Sequence, residues 1–356
     1  MNTGIRRFTI LFFQSITFWV IAFLLFTSFR FTGLGDYVNF FFDVKYDIHI
    51  SIWYNLAIIL GLVIGVFYAI IEFLFQNYLL KKSALGLVII SKTGIYLVLM
   101  VTILRVISII AEKDMDLDIP NESGWWITSQ WFWVTVLYFM IGSLLFSFLK
   151  IANEKFGKGV FMKMLLGTYR KPKEEKRIFM FLDLKDSMSI AETLGHYKYS
   201  EFIQDCFLDL NHVIEKNDAE VYQYVGDEAV LTWPYKKGIY KCKCVDLFFE
   251  FQEQINKRLS YYQNKYDFVP MFKAGLHGGK LMIAEVGTVK KELAFHGDVI
   301  NTTARIQGEC NAYNASLLIS ESLLNDLHLN TTFKSMPLGN IKLRGKQEGV
   351  NIYSIV

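Results

Sequence analysis

The sequence predicts a four-span α-helical membrane domain over residues 1–150 and an α+β domain over residues 178–356. The first observation is that long apolar runs crowd the first 150 positions of this 356-residue chain, of which 53% is hydrophobic. The second is that these runs give way after residue 178 to short alternating strand and helix patterns. Residues 151–177 lie between them and are interpreted as a basic juxtamembrane linker or transducer.

Four apolar runs cover roughly 8–29, 52–76, 85–110 and 128–149, and each is long enough to cross about 30 Å of hydrocarbon as a helix. The first is too long for a signal-peptide core, and no small-residue cleavage site follows it. Lysine and arginine precede the first run, lie between the second and third, and follow the fourth, whereas the third connection is acidic. We therefore expect a multi-pass protein of the inner (plasma) membrane, with both termini and the α+β domain cytoplasmic.

Two charges inside the apolar runs predict a contact. Glu72 and Lys92 would lie at similar depth on the cytoplasmic side of the second and third helices. Charges inside a bilayer are costly and usually face a partner or a cavity. We expect a Glu72–Lys92 pair, which serves either as a structural pair or as part of a sensing element.

The linker is basic and amphipathic, with apolar residues between its lysines. This pattern is typical of a segment held by anionic lipid headgroups and is also compatible with a transducer between the two domains. The net charge of only +3 does not indicate a nucleic-acid partner. The four cysteines lack the spacing of a zinc site and are expected to be reduced thiols.

The cytosolic half reads as an α+β layer of helices packed against a sheet. Residues 178–184 predict a strand, followed by two helices, and Gly226-Asp227 predicts a two-residue type II′ hairpin turn. The segment GLHGGK (275–280) fails the phosphate-loop pattern and is interpreted as a strand-turn-strand. A helix is expected to begin near Asp298.

Four polar residues indicate chemistry in this half. Asp183 ends a strand and Asp227 lies in the hairpin turn, so the two carboxylates can share hard cations such as Mg²⁺. Asn301 and Arg305 lie four apart on one helix and point the same way. Taken alone, each Asp is typical of a turn or cap, and Asn-x-x-x-Arg is typical of a solvated helix face. Arg344-Gly345-Lys346 adds a basic pair that by itself is typical of a turn.

Residues 178–356 resemble the catalytic domain of class III adenylyl and guanylyl cyclases, which is an α+β domain of the ferredoxin-like type. The resemblance rests on four ordered segments: RIFMFLDLKDS, YQYVGDEAVLTW, AFHGDVINTTAR and IKLRGK. It implies a membrane-anchored homodimer that converts ATP into 3′,5′-cyclic AMP with two Mg²⁺ (or Mn²⁺) ions. No comparable family resemblance is found for the four apolar runs.

The resemblance also implies a role for each matching residue. Asp183 and Asp227 would bind both metal ions, assisted by the Leu184 carbonyl, while Asn301 orients the ribose and Arg305 stabilises charge on the α-phosphate. Those metal residues would come from one protomer, with Asn301 and Arg305 from its partner. The remaining candidates contact substrate: Arg344 and Lys346 hold phosphates, and Gln223 and Ala294 face the purine.

Two of these positions depart from the family pattern and leave the base open. The adenylyl family commonly has lysine where this chain has Gln223, and Asp or Thr where it has Ala294. An amide both donates and accepts, so Gln223 suits adenine or guanine. One alternative is therefore a guanylate cyclase. A second alternative, of another class, is a non-catalytic membrane receptor whose cyclase-like domain only binds nucleotide or a partner. A diguanylate cyclase is disfavoured, because it leaves Asn301 and Arg305 unexplained.

Overall fold

The computed structural model describes residues 3–33, 50–75, 85–115, 130–157, 160–289, 291–329, 333–341 and 349–356. The chain divides into two compact units, Met1–Ala152 and Asn153–Val356. The orientation signals at Lys81 and Lys82, and those at Asp116, Asp118 and Glu122 of the acidic third connection, fall outside the described residues. The predicted orientation therefore stays a prediction.

The first unit is helical throughout its described part. Its four helices are α1 (Thr3–Gly33), α2 (Ile50–Leu74), α3 (Leu85–Met115) and α4 (Gln130–Phe156). Three of them contain stretches long and apolar enough to cross a membrane, at Phe8–Phe29, Trp53–Leu74 and Trp133–Asn153. Helix α3 contains a shorter apolar stretch, Ile90–Ile103. The helices indicate a membrane-anchored protein, and the count of four spans stays a prediction.

Close packing between α1 and α2 depends on two glycines spaced four apart. A Cβ at Gly61 would lie 2.6 Å from Val20 Cα, and one at Gly65 would lie 2.7 Å from Ile16 Cα. Small residues at this spacing let two helix backbones approach in a membrane, where van der Waals contact drives association. Both glycines are therefore needed for this helix pair.

The predicted Glu72–Lys92 pair is confirmed. Both Glu72 carboxylate oxygens accept hydrogen bonds from Lys92 Nζ at 2.8 Å, and Tyr96 OH donates to Oε1 at 3.1 Å. Lys150, in α4, also pairs with Glu72, which the sequence did not indicate. The Glu72 side chain has no exposed surface. Its charge is therefore balanced within the helix bundle by lysines from two other helices.

The second unit begins with α5 (Val160–Leu165) and contains a mixed sheet flanked by helices. Its strands are β1 (Lys173–Leu184), β2 (Glu220–Val225), β3 (Glu228–Pro234), β4 (Phe272–Val286), β5 (Glu292–His296), β6 (Leu317–Ser320), β7 (Ser335–Ile341) and β8 (Val350–Ile355). Its other helices are α6 (Ser187–Ile214), α7 (Tyr235–Ile239), α8 (Lys243–Lys257), α9 (Leu259–Tyr266), α10 (Asp298–Gly308) and α11 (Glu321–Asp326).

The strands hydrogen-bond in the order β2-β3-β1-β4-β6-β8-β7, and β5 pairs with β4 beside this path. The β4–β6 pair is parallel, whereas β1 is antiparallel to both of its neighbours, β3 and β4. Side chains alternate across β1: Met180 packs in the core formed with α6 and α8, while Phe181 packs in a second core with Val299 of α10. Burial on both faces explains why residues 178–184 of β1 read as a nearly continuous apolar run.

The interpretation of GLHGGK as strand-turn-strand is wrong, because β4 runs unbroken through Gly278 and Gly279. A Cβ at Gly278 would lie 2.6 Å from the Tyr235 ring, and one at Gly279 would lie 2.9 Å from Val299 Cγ2. The glycines therefore provide space for packing rather than a turn.

Strand β1 begins at Lys173, inside the segment predicted as linker. The charged residues KEEKR (173–177) belong to the strand because their backbone pairs with β4. The expected two helices after β1 are seen as α6 with a break at Gly195 (φ 72°, ψ 164°). The boundaries 151–177 and 178–356 stay predictions.

Candidate active site

The hairpin that carries Asp227 has the predicted form. Val225 and Glu228 are register partners, so Gly226 and Asp227 form a two-residue turn. Gly226 has φ +62°, while Asp227 does not have positive φ, which fits a type II′ turn and excludes type I′. The turn therefore places Asp227 at the tip of the β2–β3 hairpin.

Asp183 lies beside that hairpin. It is the register partner of Glu228 in the antiparallel β1–β3 ladder, so the two side chains lie on the same face of the sheet. Burial raises the pKa of Glu228 to about 7, and the charges of Asp183 and Asp227 add to the shift. The pKa of Tyr199 in α6 is also raised, by burial and then by Asp227 and Asp183. Asp183 and Asp227 therefore both lie close enough to Glu228 and Tyr199 to shift the pKa of each.

Two further residues hold Asp183, and the sequence did not indicate either one. Lys273 Nζ in β4 lies 3.3 Å from Asp183 Oδ2, and Gln307 Nε2 in α10 donates to the same oxygen at 3.0 Å. Lys273 is also the register partner of Asp183 across the β1–β4 ladder. The sequence could have indicated Lys273 only through the alternation of side chains along β4. That alternation places Lys273 beside Asp183 only once β1 is known to pair with β4.

Leu184, the last residue of β1, is 2% exposed and packs in the core beneath α6 and α8. Its side chain therefore plays a packing role, which leaves its backbone carbonyl as the group that the resemblance assigns to a metal.

Helix α10 presents Asn301 and Arg305 away from the protomer's own Asp183. Gln307, which faces Asp183, is buried, whereas Asn301 is exposed and Arg305 is partly exposed. Since a helix turns about 100° per residue, Arg305 is rotated by about 200° from Gln307. Asn301 is likewise on another side of the helix. Asn301 and Arg305 therefore lie on other sides of α10 than the side that contacts Asp183 of the same chain.

The two purine candidates lie on neighbouring strands. Gln223 in β2 is exposed and Ala294 in β5 is partly buried. Their adjacent residues, Tyr222 and Phe295, form an edge-on ring contact with centroids 4.8 Å apart. The structure therefore brings the β2 and β5 segments together at these positions. The phosphate candidates Arg344 and Lys346 lie outside the described residues.

The residues near Asp183 fit a divalent cation. Three acids, Asp183, Asp227 and Glu228, lie together, and Lys273 offsets part of their charge. Among the residues that the structure describes, no three His, Cys, Asp or Glu side chains are arranged to hold a metal by themselves. A cation here would therefore use one or two carboxylates and complete its shell with substrate oxygens, the arrangement that Mg²⁺ favours.

Two relatives named adenylate cyclase match this chain in sequence. Adenylate cyclase 2 of Rhizobium meliloti (strain 1021) is 35% identical over 203 residues, 57% of this chain and 56% of that protein. Adenylate cyclase of Anabaena cylindrica is 22% identical over 180 residues, 49% of this chain and 36% of that protein. The chain thus spans little more than half of the first relative and about a third of the second.

A solved structure shows the same fold. The structure of a bacterial light-regulated adenylyl cyclase matches with a TM-score of 0.51 and 16% identity, covering 60% of this chain and 64% of that one. The family model for the adenylate and guanylate cyclase catalytic domain matches residues 169–356, more than half of the chain. This chain therefore belongs to the adenylate and guanylate cyclase catalytic domain family.

Proposed function

We propose that the chain is a membrane-anchored adenylate cyclase that converts ATP into 3′,5′-cyclic AMP and pyrophosphate. The observation that carries the proposal is the pairing of Asp183 with the Asp227–Glu228 hairpin in a domain of this family. The relatives named adenylate cyclase favour ATP as the substrate. We also propose that the helical unit lies in the inner (plasma) membrane and that the catalytic domain faces the cytoplasm.

The reaction is an in-line displacement at the α-phosphate. The ribose 3′-oxygen bonds to the α-phosphorus, the bond to the β-phosphate oxygen breaks, and the hydroxyl proton passes to solvent as pyrophosphate leaves. Asp183, Asp227 and the Leu184 carbonyl would hold two Mg²⁺ (or Mn²⁺) ions. These ions would lower the pKa of the 3′-hydroxyl and offset triphosphate charge.

The chain's own residues orient the nucleotide. Asn301 holds the ribose, and the Arg305 guanidinium stabilises charge that develops on the α-phosphate. Arg344, with Lys346 beside it, holds triphosphate oxygens. Most of the rate acceleration would come from positioning and charge stabilisation.

The orientation of α10 supports a homodimer. Asn301 and Arg305 point away from the side of the helix that contacts Asp183, so they suit the carboxylate pair of a second protomer. Each active site would then combine Asp183 and Asp227 of one protomer with Asn301 and Arg305 of the other.

Guanylate cyclase is the second candidate function, favoured by Gln223 and Ala294. The Ala294 side chain cannot hydrogen-bond to a purine. The amide of Gln223 can both donate and accept hydrogen bonds, so it can bind adenine or guanine.

The proposal is tested with purified full-length protein in detergent, incubated with ATP or GTP and with Mg²⁺ or Mn²⁺. We expect cyclic AMP as the main product, identified by mass spectrometry, and none from an Asp183→Ala variant. Predominant cyclic GMP would support the second candidate. No cyclic product from either triphosphate, despite nucleotide binding, would support a non-catalytic receptor.

The shared site is tested by co-expression of two inactive variants. Asp183→Ala and Asn301→Ala are each expected to lose activity by about 10²-fold or more, the size of effect seen when a group that stabilises the transition state is removed. Mixed dimers retain one intact site, so about a quarter of wild-type activity is expected from statistical pairing. Activity no higher than that of the single variants would contradict the homodimer.

A further inference from the structure

Arg177 in β1 is a buried charged residue outside the proposed machinery. It is 2% exposed, yet it contacts groups on three strands. Its Nε donates to Thr232 Oγ1 in β3 at 3.1 Å, its Nη1 lies 3.4 Å from Glu175 Oε2, and its Nη2 pairs with Glu220, the first residue of β2. A planar guanidinium holds several acceptors in a rigid fork geometry, which the single ammonium nitrogen of a lysine does not provide. Arg177 therefore joins β1, β2 and β3 at one point.

Arg177 also reaches the strand that carries Ala294. Its guanidinium carbon lies 5.5 Å from the centroid of the Phe295 ring in β5. The same ring contacts Phe179 of β1 at 5.7 Å and Tyr222 of β2 at 4.8 Å. These contacts form one cluster of three rings, and the Arg177 cation lies over one of them, Phe295, whose ring quadrupole attracts it.

The position of β5 relative to β2 depends on this cluster. In the described part of the chain, β5 forms a hydrogen-bonded ladder with β4, and the sheet order does not place it beside β2. No backbone ladder therefore fixes the distance between the two strands. Between the two strands the structure shows the Tyr222–Phe295 ring contact and Arg177, which binds Glu220 on one side and faces Phe295 on the other.

We propose that Arg177 is a positioning residue that sets the separation of Gln223 and Ala294 and so determines how tightly the purine is held. Gln223 follows Tyr222, and Ala294 precedes Phe295, so each purine candidate is one residue from the cluster. Because Ala294 has no polar side-chain atom, recognition on that side depends on where the backbone lies. The inference rests on the proposed cyclase function.

The experiment compares three variants of the full-length protein in detergent. Arg177→Met keeps side-chain bulk and removes the charge, while Arg177→Lys keeps the charge and removes the planar fork. The control is Arg258→Met, because Arg258 also pairs with an acid, Asp209, and lies over an aromatic ring, Tyr261, but in the helical layer. The measurements are kcat and KM for ATP and for GTP, together with inhibition by inorganic tripolyphosphate, which has no purine.

We expect Arg177→Met to raise KM for ATP about tenfold, with a smaller rise for Arg177→Lys and a change in kcat of less than about threefold. Tripolyphosphate inhibition should stay unchanged, because it reports on the phosphate site alone. Arg258→Met should leave KM for ATP within about twofold of the wild type.

Three results would overturn the inference: an unchanged KM for ATP, tripolyphosphate inhibition that weakens in parallel, or the same KM change in Arg258→Met. If Arg177→Met does not fold, Arg177→Lys decides by the same measurements. A wild-type protein that makes no cyclic product refutes the cyclase proposal itself, which is a separate outcome.

Discussion

Asp183 shows how much order surrounds a single carboxylate in this domain. Lys273 and Gln307 both contact its Oδ2 atom, and they come from a neighbouring strand and from α10. Side chains locked by such neighbours keep a site in position before its ligand arrives. A cation bound at the same carboxylate would compete with Lys273. The charge of Lys273 would therefore reduce the negative charge of Asp183 that the cation meets.

Asp205 in α6 gives a prediction about pH. It accepts hydrogen bonds from Tyr266 OH at 2.6 Å, Tyr261 OH at 2.7 Å and Lys265 Nζ at 3.0 Å. Burial alone would raise its pKa, but these bonds outweigh burial, so the pKa is lowered. A lowered carboxyl pKa stabilises the fold above the unfolded-state value, and this stabilisation is lost as the pH falls through the folded-state pKa.

Asp205→Asn should therefore lower the free energy of unfolding by about 1–2 kcal/mol at pH 7, with the difference shrinking below pH 4. Thermal denaturation between pH 7 and pH 3 measures this. The control is Asp267→Asn, an exposed position with φ +59° that asparagine tolerates. A difference from the wild type that does not depend on pH would rule out the ionic origin.

At the scale of elements, the distance between α10 and β4 decides where the proposed catalytic residues lie. A Cβ at Gly275 in β4 would collide with the backbone of Gln307 in α10. Gly275→Ala should therefore push the helix outward, lower the free energy of unfolding by about 1–3 kcal/mol and reduce cyclase activity. Denaturation and activity assays measure both effects.

Gly308→Ala is the matched control for that prediction. Gly308 ends the same helix, and a Cβ there would have open space within 4 Å. Its effect should stay within about 0.5 kcal/mol, because surface changes of this kind are usually small. Equal destabilisation by both substitutions would show that the approach of α10 to β4 is not the cause.

At the scale of the whole molecule, the buried Glu72 cluster connects three helices of the first unit. Reversing one charge, as in Glu72→Lys or Lys92→Glu, leaves like charges buried together and should abolish folded protein in the membrane. The double exchange should restore folding only in part, because Lys150 would then face a lysine at position 72. Adding Lys150→Gln should raise the recovery further, as measured by the yield of monodisperse protein. A double exchange as defective as the single variants would contradict the pairing.

Local chemistry made several features predictable. The Gly226–Asp227 turn follows from glycine at the first turn position, and the start of α10 follows from Gly297-Asp298 before an amphipathic pattern. The Glu72–Lys92 pair follows from similar depth in adjacent helices. The contacts of Asp183 with Gln307 and Lys273 were not predictable, because 124 residues separate Asp183 from Gln307 and only the fold brings them together.

The sequence by itself determined the apolar and α+β halves, the candidate acids, and the pairing of Asn301 with Arg305 on one helix, because all of these depend on periodicity and short spacing. Only the tertiary structure decided that Gly278 and Gly279 serve packing, that Lys150 joins the buried cluster, and that Asn301 and Arg305 point away from their own Asp183. The physical reason is that a missing side chain, a buried charge and a helix face acquire their roles from neighbours distant along the chain.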